Sequence, residues 1–213
     1  MVGFEDRADI QEGRHTMKKG EKRKNELLQI AYSMFLTKGY ENTSVDNIIE
    51  EAGMAKGTFY YYFQSKEQLL EAVCMMMIGA QADRARQILN TGLSIPQKTV
   101  GIIASFRPEQ NEQTIGDTLN RPENVLMHDK INRQIVETIV PIVSEVVEEG
   151  IREGIFCCDN IHERVRMIII ISNTLFDDYA YTGKDIEVFI DLIEKLLGAA
   201  PGTMGFVKEL INS

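Results

Sequence analysis

Residues Lys56-Gly57-Thr58-Phe59-Tyr60-Tyr61-Tyr62-Phe63 place three consecutive tyrosines beside a lysine and a threonine, an unusual way to build a core. On a helix Phe59 and Phe63, four apart, share one face and anchor the segment inward, which leaves Gly57, Thr58, Tyr60 and Tyr61 facing out. Phenolic hydroxyls on such a surface donate to phosphates, and their rings lie against sugars or a thymine methyl. Upstream, residues 14–24 hold Arg14, Lys18, Lys19, Lys22, Arg23 and Lys24 against Glu21 alone. A basic run in isolation reads as a solvated helix start. This one precedes a polar aromatic helix, in a chain whose net charge is −9, so any affinity for polyanions must come from a local patch rather than from bulk charge.

The elements that would hold these residues are helical throughout. Apolar residues recur at helical spacing and period-two alternation is never sustained, which predicts an all-α fold. Residues 1–17 lack apolar periodicity and are expected to form a mobile tail. A first helix is predicted from Lys18 to Lys38, with Leu27, Ile30, Ala31, Met34 and Phe35 inward and Gly39 ending it. A second opens at Thr43-Ser44, where a hydroxyl caps the first turn, and stops at Gly53. Only residues 53–55 then separate it from the helix at Lys56–Phe63, the length of the tight turn in a helix-turn-helix unit. Ser65, with Gln68 placed for a capping box, starts a long fourth helix reaching Leu89.

The stretch GYENTSVDNIIEEAGMAKGTFYYYFQSKEQLLEAV resembles the signature of TetR-family transcriptional regulators, over about Lys22 to Val73. It joins a T-S-V cap, an A-G turn, K-G-T-F-Y-Y-Y-F and S-K-E-Q-L-L at fixed spacing. Ala55 departs from the pattern, because the family often caps this helix with serine or threonine. The resemblance implies an N-terminal three-helix DNA-binding domain at 18–64 and a larger C-terminal helical domain for effector binding and dimerisation at 65–213. It further implies that Thr43 and Ser44 touch the phosphate backbone and that Lys56, Gly57 and Thr58 enter the major groove. Tyr60, Tyr61 and Tyr62 would hold flanking phosphates, and Lys66 would reach another. The expected partners are a double-stranded palindromic operator, a second copy of the chain and a small hydrophobic effector. Repression is the expected mode. Activation, or control by a protein partner, is the alternative on the same fold. A helical interaction protein without DNA binding is the alternative from another class, and the intact Lys56 to Phe63 segment speaks against it.

The C-terminal region is less legible. Residues 91–122, broken by glycines and prolines, are expected to hold two short helices. About Glu123 to Glu153 forms a core helix in which Pro141 removes one backbone donor and introduces a kink. Residues 161–181 are apolar around most of the helix, and a further helix follows Gly183. Together they carry more apolar surface than one core covers, so a helix-pair dimer interface is expected at Ile168, Ile171, Leu175, Phe189, Ile193 and Leu196. Met75, Met76, Met77, Phe106, Met127, His128, Phe156, Phe176 and Tyr179 have the character of an adaptable apolar pocket.

No metal or cofactor is expected, since the three histidines and nearby carboxylates lack ligand spacing. Hydrolase elbow, phosphate-loop and dinucleotide motifs are missing from the sequence, so the chain does not read as an enzyme. Cys157-Cys158 could sense redox state or simply pack as small hydrophobes. Three unpatterned cysteines fit a reducing cytoplasm, and no apolar run approaches membrane-spanning length.

Overall fold

The computed structural model describes residues 19–107, 112–177 and 180–212. Its elements are α1 (Lys19–Lys38), α2 (Val45–Glu51), α3 (Lys56–Tyr62), α4 (Lys66–Leu89), α5 (Ile95–Ser105), α6 (Gln113–Leu119), α7 (Val125–Arg152), α8 (Ile161–Asp177), α9 (Gly183–Leu197) and α10 (Val207–Asn212). A 3-10 turn at Pro122–Asn124 leads into α7, and no strand occurs among the described residues. The expected all-α class and both short helices between residues 91 and 122 are present; the expected tail at 1–17 lies outside the described residues.

Local chemistry sets the N-terminal elements. Leu27, Ala31 and Phe35 on α1 are fully buried, and α1 ends where Gly39 takes φ +80°, a conformation that costs a side-chain-bearing residue strain. Ser44 caps α2 by accepting from the Asn47 amide at 3.1 Å, while the Asn47 side chain accepts from the Ser44 amide at 3.1 Å. Reciprocal bonds of this kind satisfy two donors that a helix start leaves orphaned. Ala55 caps α3 with no side-chain bond. Phe59 and Phe63 are buried as their spacing predicts, with ring centroids 6.1 Å apart.

Two hydrophobic clusters organise the molecule. The first joins α1–α3 to the opening half of α4 through Leu69, Leu70, Val73 and Cys74, and takes in Ile115, Leu119 and Ile131 from α6 and α7. The expected domain boundary at 64/65 therefore runs through one continuous core. The second cluster draws on the rest of α4, α5, the greater part of α7, α8, α9 and α10. α7 runs unbroken through Pro141, whose side lies exposed. α8 and α9 are antiparallel: Arg164, early in α8, donates to the Leu196 carbonyl at 2.7 Å, while Phe176 near the other end of α8 stacks edge-on Phe189 at 5.2 Å.

Periodicity predicts no element beyond α9. Gly198 turns the chain at φ +62°, where any Cβ would meet the Cys157 carbonyl oxygen. The buried Glu194 carboxylate then accepts from the Met204 amide at 2.9 Å and ties the returning strand of chain to α9. This brings α10 onto the body.

Candidate functional site

The outward surface of α3 is polar and aromatic. Tyr61 is 79% exposed and Tyr60 43%, while Tyr62 is half-buried with its ring 5.0 Å from that of Tyr61 in an edge contact. Around Gly57 there is open space where a side chain would be, so the backbone at the start of α3 is approachable. Lys56 is exposed and its ammonium lies 3.0 Å from Asp46, whose carboxylate holds the lysine above its ordinary pKa. The start of α1 lies close to α3: Gly20 is beside the Tyr62 hydroxyl and Lys24 sits 5.6 Å over the Phe63 ring. Thus Ser44, Lys56, Gly57, Thr58, Tyr60, Tyr61 and Tyr62 belong to one helix-turn-helix unit with an accessible face.

Like the capping Ser44 and the Asp46-paired Lys56, Thr43 and Lys66 are engaged within the chain. Thr43 is fully buried and its hydroxyl donates to the Gly39 carbonyl at 2.8 Å, so this side chain closes the α1–α2 turn. Lys66 donates to the Tyr40 carbonyl at 3.1 Å and lies 4.0 Å over the Tyr40 ring, which directs it onto the chain rather than outward. Tyr40 itself is raised above the usual phenol pKa, first by burial and then by Glu67 and Glu41. Spacing alone could not separate these from the exposed hydroxyls and lysines, because both lie at helix starts where capping and phosphate contact use the same residue types.

The second feature is a cavity of about 450 Å³ inside the body. One wall is the α7 row Ile135, Ile139, Val143, Val146 and Val147; α8 contributes Val165, Ile168 and Ile169, and α9 contributes Phe189, Ile193 and Leu197. Met204, Val207, Leu210 and Ile211 close it from the C-terminal segment. Phe106 and Phe176 line it as the sequence suggested, and so does Phe156. Met76 and Met77 instead pack against the head cluster, with the Met76 sulfur accepting from Gln29 at 3.1 Å. Met127 packs there too. His128 stands one turn behind the cavity wall, its ring 3.2 Å from the Asn132 amide that does line it. Tyr179 lies outside the described residues.

The cavity also corrects the expected interface. Phe189 and Ile193 are buried and Ile168 lines the cavity, so these three face inward. The periodicity of α8 and α9 could not tell a cavity-facing stripe from a partner-facing one, since both are apolar. Exposed on the outer side are Met167 at 55%, Val188 at 61%, Ile170 and Ile171. Leu175 and Leu196 are half-buried beside them. Sequence reasoning missed Arg107, Asn132, Ser172, Asn173 and Tyr181 as cavity residues, because isolated polar residues on α7 and α8, or in the segments that follow α5 and precede α9, carry no periodic signal.

The thiols divide by environment. Burial pushes Cys74 up to about 12, and burial also raises Cys158, which opposes thiolate formation at both.

Residues 27–73 match the model described as bacterial regulatory proteins of the tetR family, and residues 103–192 match a tetracyclin repressor-like C-terminal domain. The chain belongs to the TetR family. It is 31% identical over 139 residues to the HTH-type transcriptional repressor KstR2 of Mycolicibacterium smegmatis, covering 63% of this chain and 67% of that one. It is 24% identical over 133 residues to the fatty acid metabolism regulator protein of Bacillus subtilis, covering 61% and 68%. The fatty acid degradation regulator FadR of Bacillus halodurans shares the fold at a TM-score of 0.54 and 22% identity, over 87% of this chain and 99% of that one. Helix α3 accordingly falls within the stretch that matches the tetR-family model. This TetR-family protein is a DNA-binding transcriptional regulator, and no helix among its described residues is long and apolar enough to cross a membrane.

Proposed function

We propose that the protein is a homodimeric repressor that acts in the cytoplasm, binds a palindromic operator and is released from it by a small hydrophobic effector, with no catalytic activity of its own. In this reading residues 18–64 form the DNA-reading head and 65–213 the sensing and dimerising body. The observation that carries it is a shared wall: Phe106 and Ile135 line the body cavity and also pack against the head's hydrophobic cluster. A ligand filling the cavity therefore presses on residues that set the position of the head. If that ligand favours a head separation unsuited to DNA, operator affinity falls by linkage.

The outer apolar face of α8 and α9, with Met167, Ile170, Ile171 and Val188, supports pairing with a second copy, alongside Leu175 and Leu196. In such a dimer the two α3 helices would stand about 34 Å apart, one turn of duplex. The names of two relatives point to control of fatty acid metabolism, in keeping with the apolar cavity.

Selection of binding sites from random DNA with purified protein tests this reading. The expected result is a palindrome bound with an affinity that falls steeply with salt, since phosphate contacts release counterions. Lys56→Ala should lower the salt slope by about 1. No enriched sequence from folded dimeric protein, or a flat salt response, would overturn it.

A further inference from the structure

The cavity is not uniform along its length. Its α7 wall runs from Asn132 to Val147, about 22 Å at the rise of an α-helix. At the Val147 end the lining is Val146, Val165, Phe156, Leu197 and Met204, and the nearby Thr99 hydroxyl is already used, donating to the Ile95 carbonyl at 2.8 Å. The other end gathers Asn132, Ser172, Asn173, Tyr181 and Arg107. The direction of α5 fixes the place of Arg107. Lys98 near its start pairs with Glu149 late in α7 at 2.6 Å, whereas Phe106 after its last turn packs against the head cluster with Ile135. Arg107 follows Phe106, so its guanidinium belongs to the polar, head-proximal end. There it donates to the Leu210 carbonyl in α10, the helix that closes the cavity.

Resting on the reading of this cavity as the effector site, we propose that its ligand is a single-chain amphipath with an anionic head, bound with the head at Arg107 and the tail lying along α7 towards Phe156 and Leu197. A guanidinium offers a planar fork of donors that matches carboxylate and phosphate alike, and such charge-assisted bonds are about twice as strong as neutral ones. At the aliphatic end the nearby cation Lys98 is paired with Glu149 at 2.6 Å and does not line the cavity, so the ligand enters in one orientation. Engaging Arg107 competes with its bond to Leu210. The head group thereby acts on α10, and the tail fills the space behind Ile139 and Val143.

Calorimetric titration of the full chain with dodecanoate, dodecyl phosphate and the uncharged dodecanol tests the proposal, using wild type, Arg107→Met and Arg107→Lys. Wild type should bind at least one anionic probe ten-fold or more tightly than dodecanol, and the two anions distinguish a carboxylate from a phosphate head. Arg107→Met should lose that preference while keeping its dodecanol affinity, which also reports that the cavity remains folded. Arg107→Lys should recover part of the preference. Equal binding of anion and alcohol to wild type, or an anion preference that survives Arg107→Met, overturns the anchor and leaves the cavity as an effector site. Failure of all three probes to bind wild type overturns the single-chain amphipath, while the effector reading stands or falls on whether any small apolar ligand that fills the cavity weakens binding to the selected operator.

Discussion

The two cores of this molecule are built from the same aliphatic and aromatic residue types, yet one is filled and the other hollow. In the head, Leu27, Phe35, Ile48, Phe59 and Leu69 are completely buried in one cluster. In the body, an equally apolar set on α7, α8 and α9 surrounds about 450 Å³ of space. Interiors pack at crystal-like density, so a void of this size forfeits contacts that closer packing would supply. The difference divides the labour. In the proposed reading the filled head fixes the positions of Tyr60 and Tyr61, while the hollow body leaves room for an effector.

The largest effect expected from this contrast is on the head. Phe59→Ala removes a fully buried ring from the filled cluster and should cost about 3–5 kcal/mol, read as a lowered urea midpoint. A loss below about 1 kcal/mol would mean that the head is loosely packed after all. Next comes the reading surface itself. Tyr61→Ala alters a side chain that is 79% exposed, so the urea midpoint should stay put while operator binding weakens by about 1.5–3 kcal/mol, the range for a hydrogen bond to a charged group. Unaltered affinity in an anisotropy titration would remove Tyr61 from the interface.

The smallest effect sharpens the comparison most, because it sets one substitution against another. Ile48→Phe overpacks the head and should destabilise by about 1–3 kcal/mol, whereas Val143→Phe extends into existing space and should cost less than about 1 kcal/mol. Equal penalties at the two sites would show that the body closes up in solution.

Much of this organisation was legible in the residues. The Ser44–Asn47 cap, the Gly39 stop and the Phe59/Phe63 anchor depend on local chemistry that operates within four or five residues, and the helix-turn-helix unit follows from them. The body resisted because its site depends on which face of each apolar helix meets which neighbour. Phe189 and Ile193 have the same periodic signature whether they face a cavity or a second chain. Thr43 and Lys66 show a related ambiguity: a hydroxyl or ammonium at a helix start serves the backbone or a phosphate equally well, and the fold of the α1–α2 turn brings Gly39 and Tyr40 close enough to accept from them. α10 lies in a segment of six residues, too short for helical periodicity to declare itself, although it closes the cavity.

Occupancy of the body cavity is proposed to reach the head through Phe106 and Ile135. Fluorescence anisotropy of a labelled selected operator, titrated with a calorimetrically verified cavity ligand in wild type and in Phe106→Ala, measures that link directly. Saturating ligand should weaken operator binding of wild type by roughly 5- to 150-fold, the usual span of allosteric coupling, and Phe106→Ala should bind the operator but respond less. An operator affinity that is unchanged while the ligand fills the cavity of wild type would contradict it.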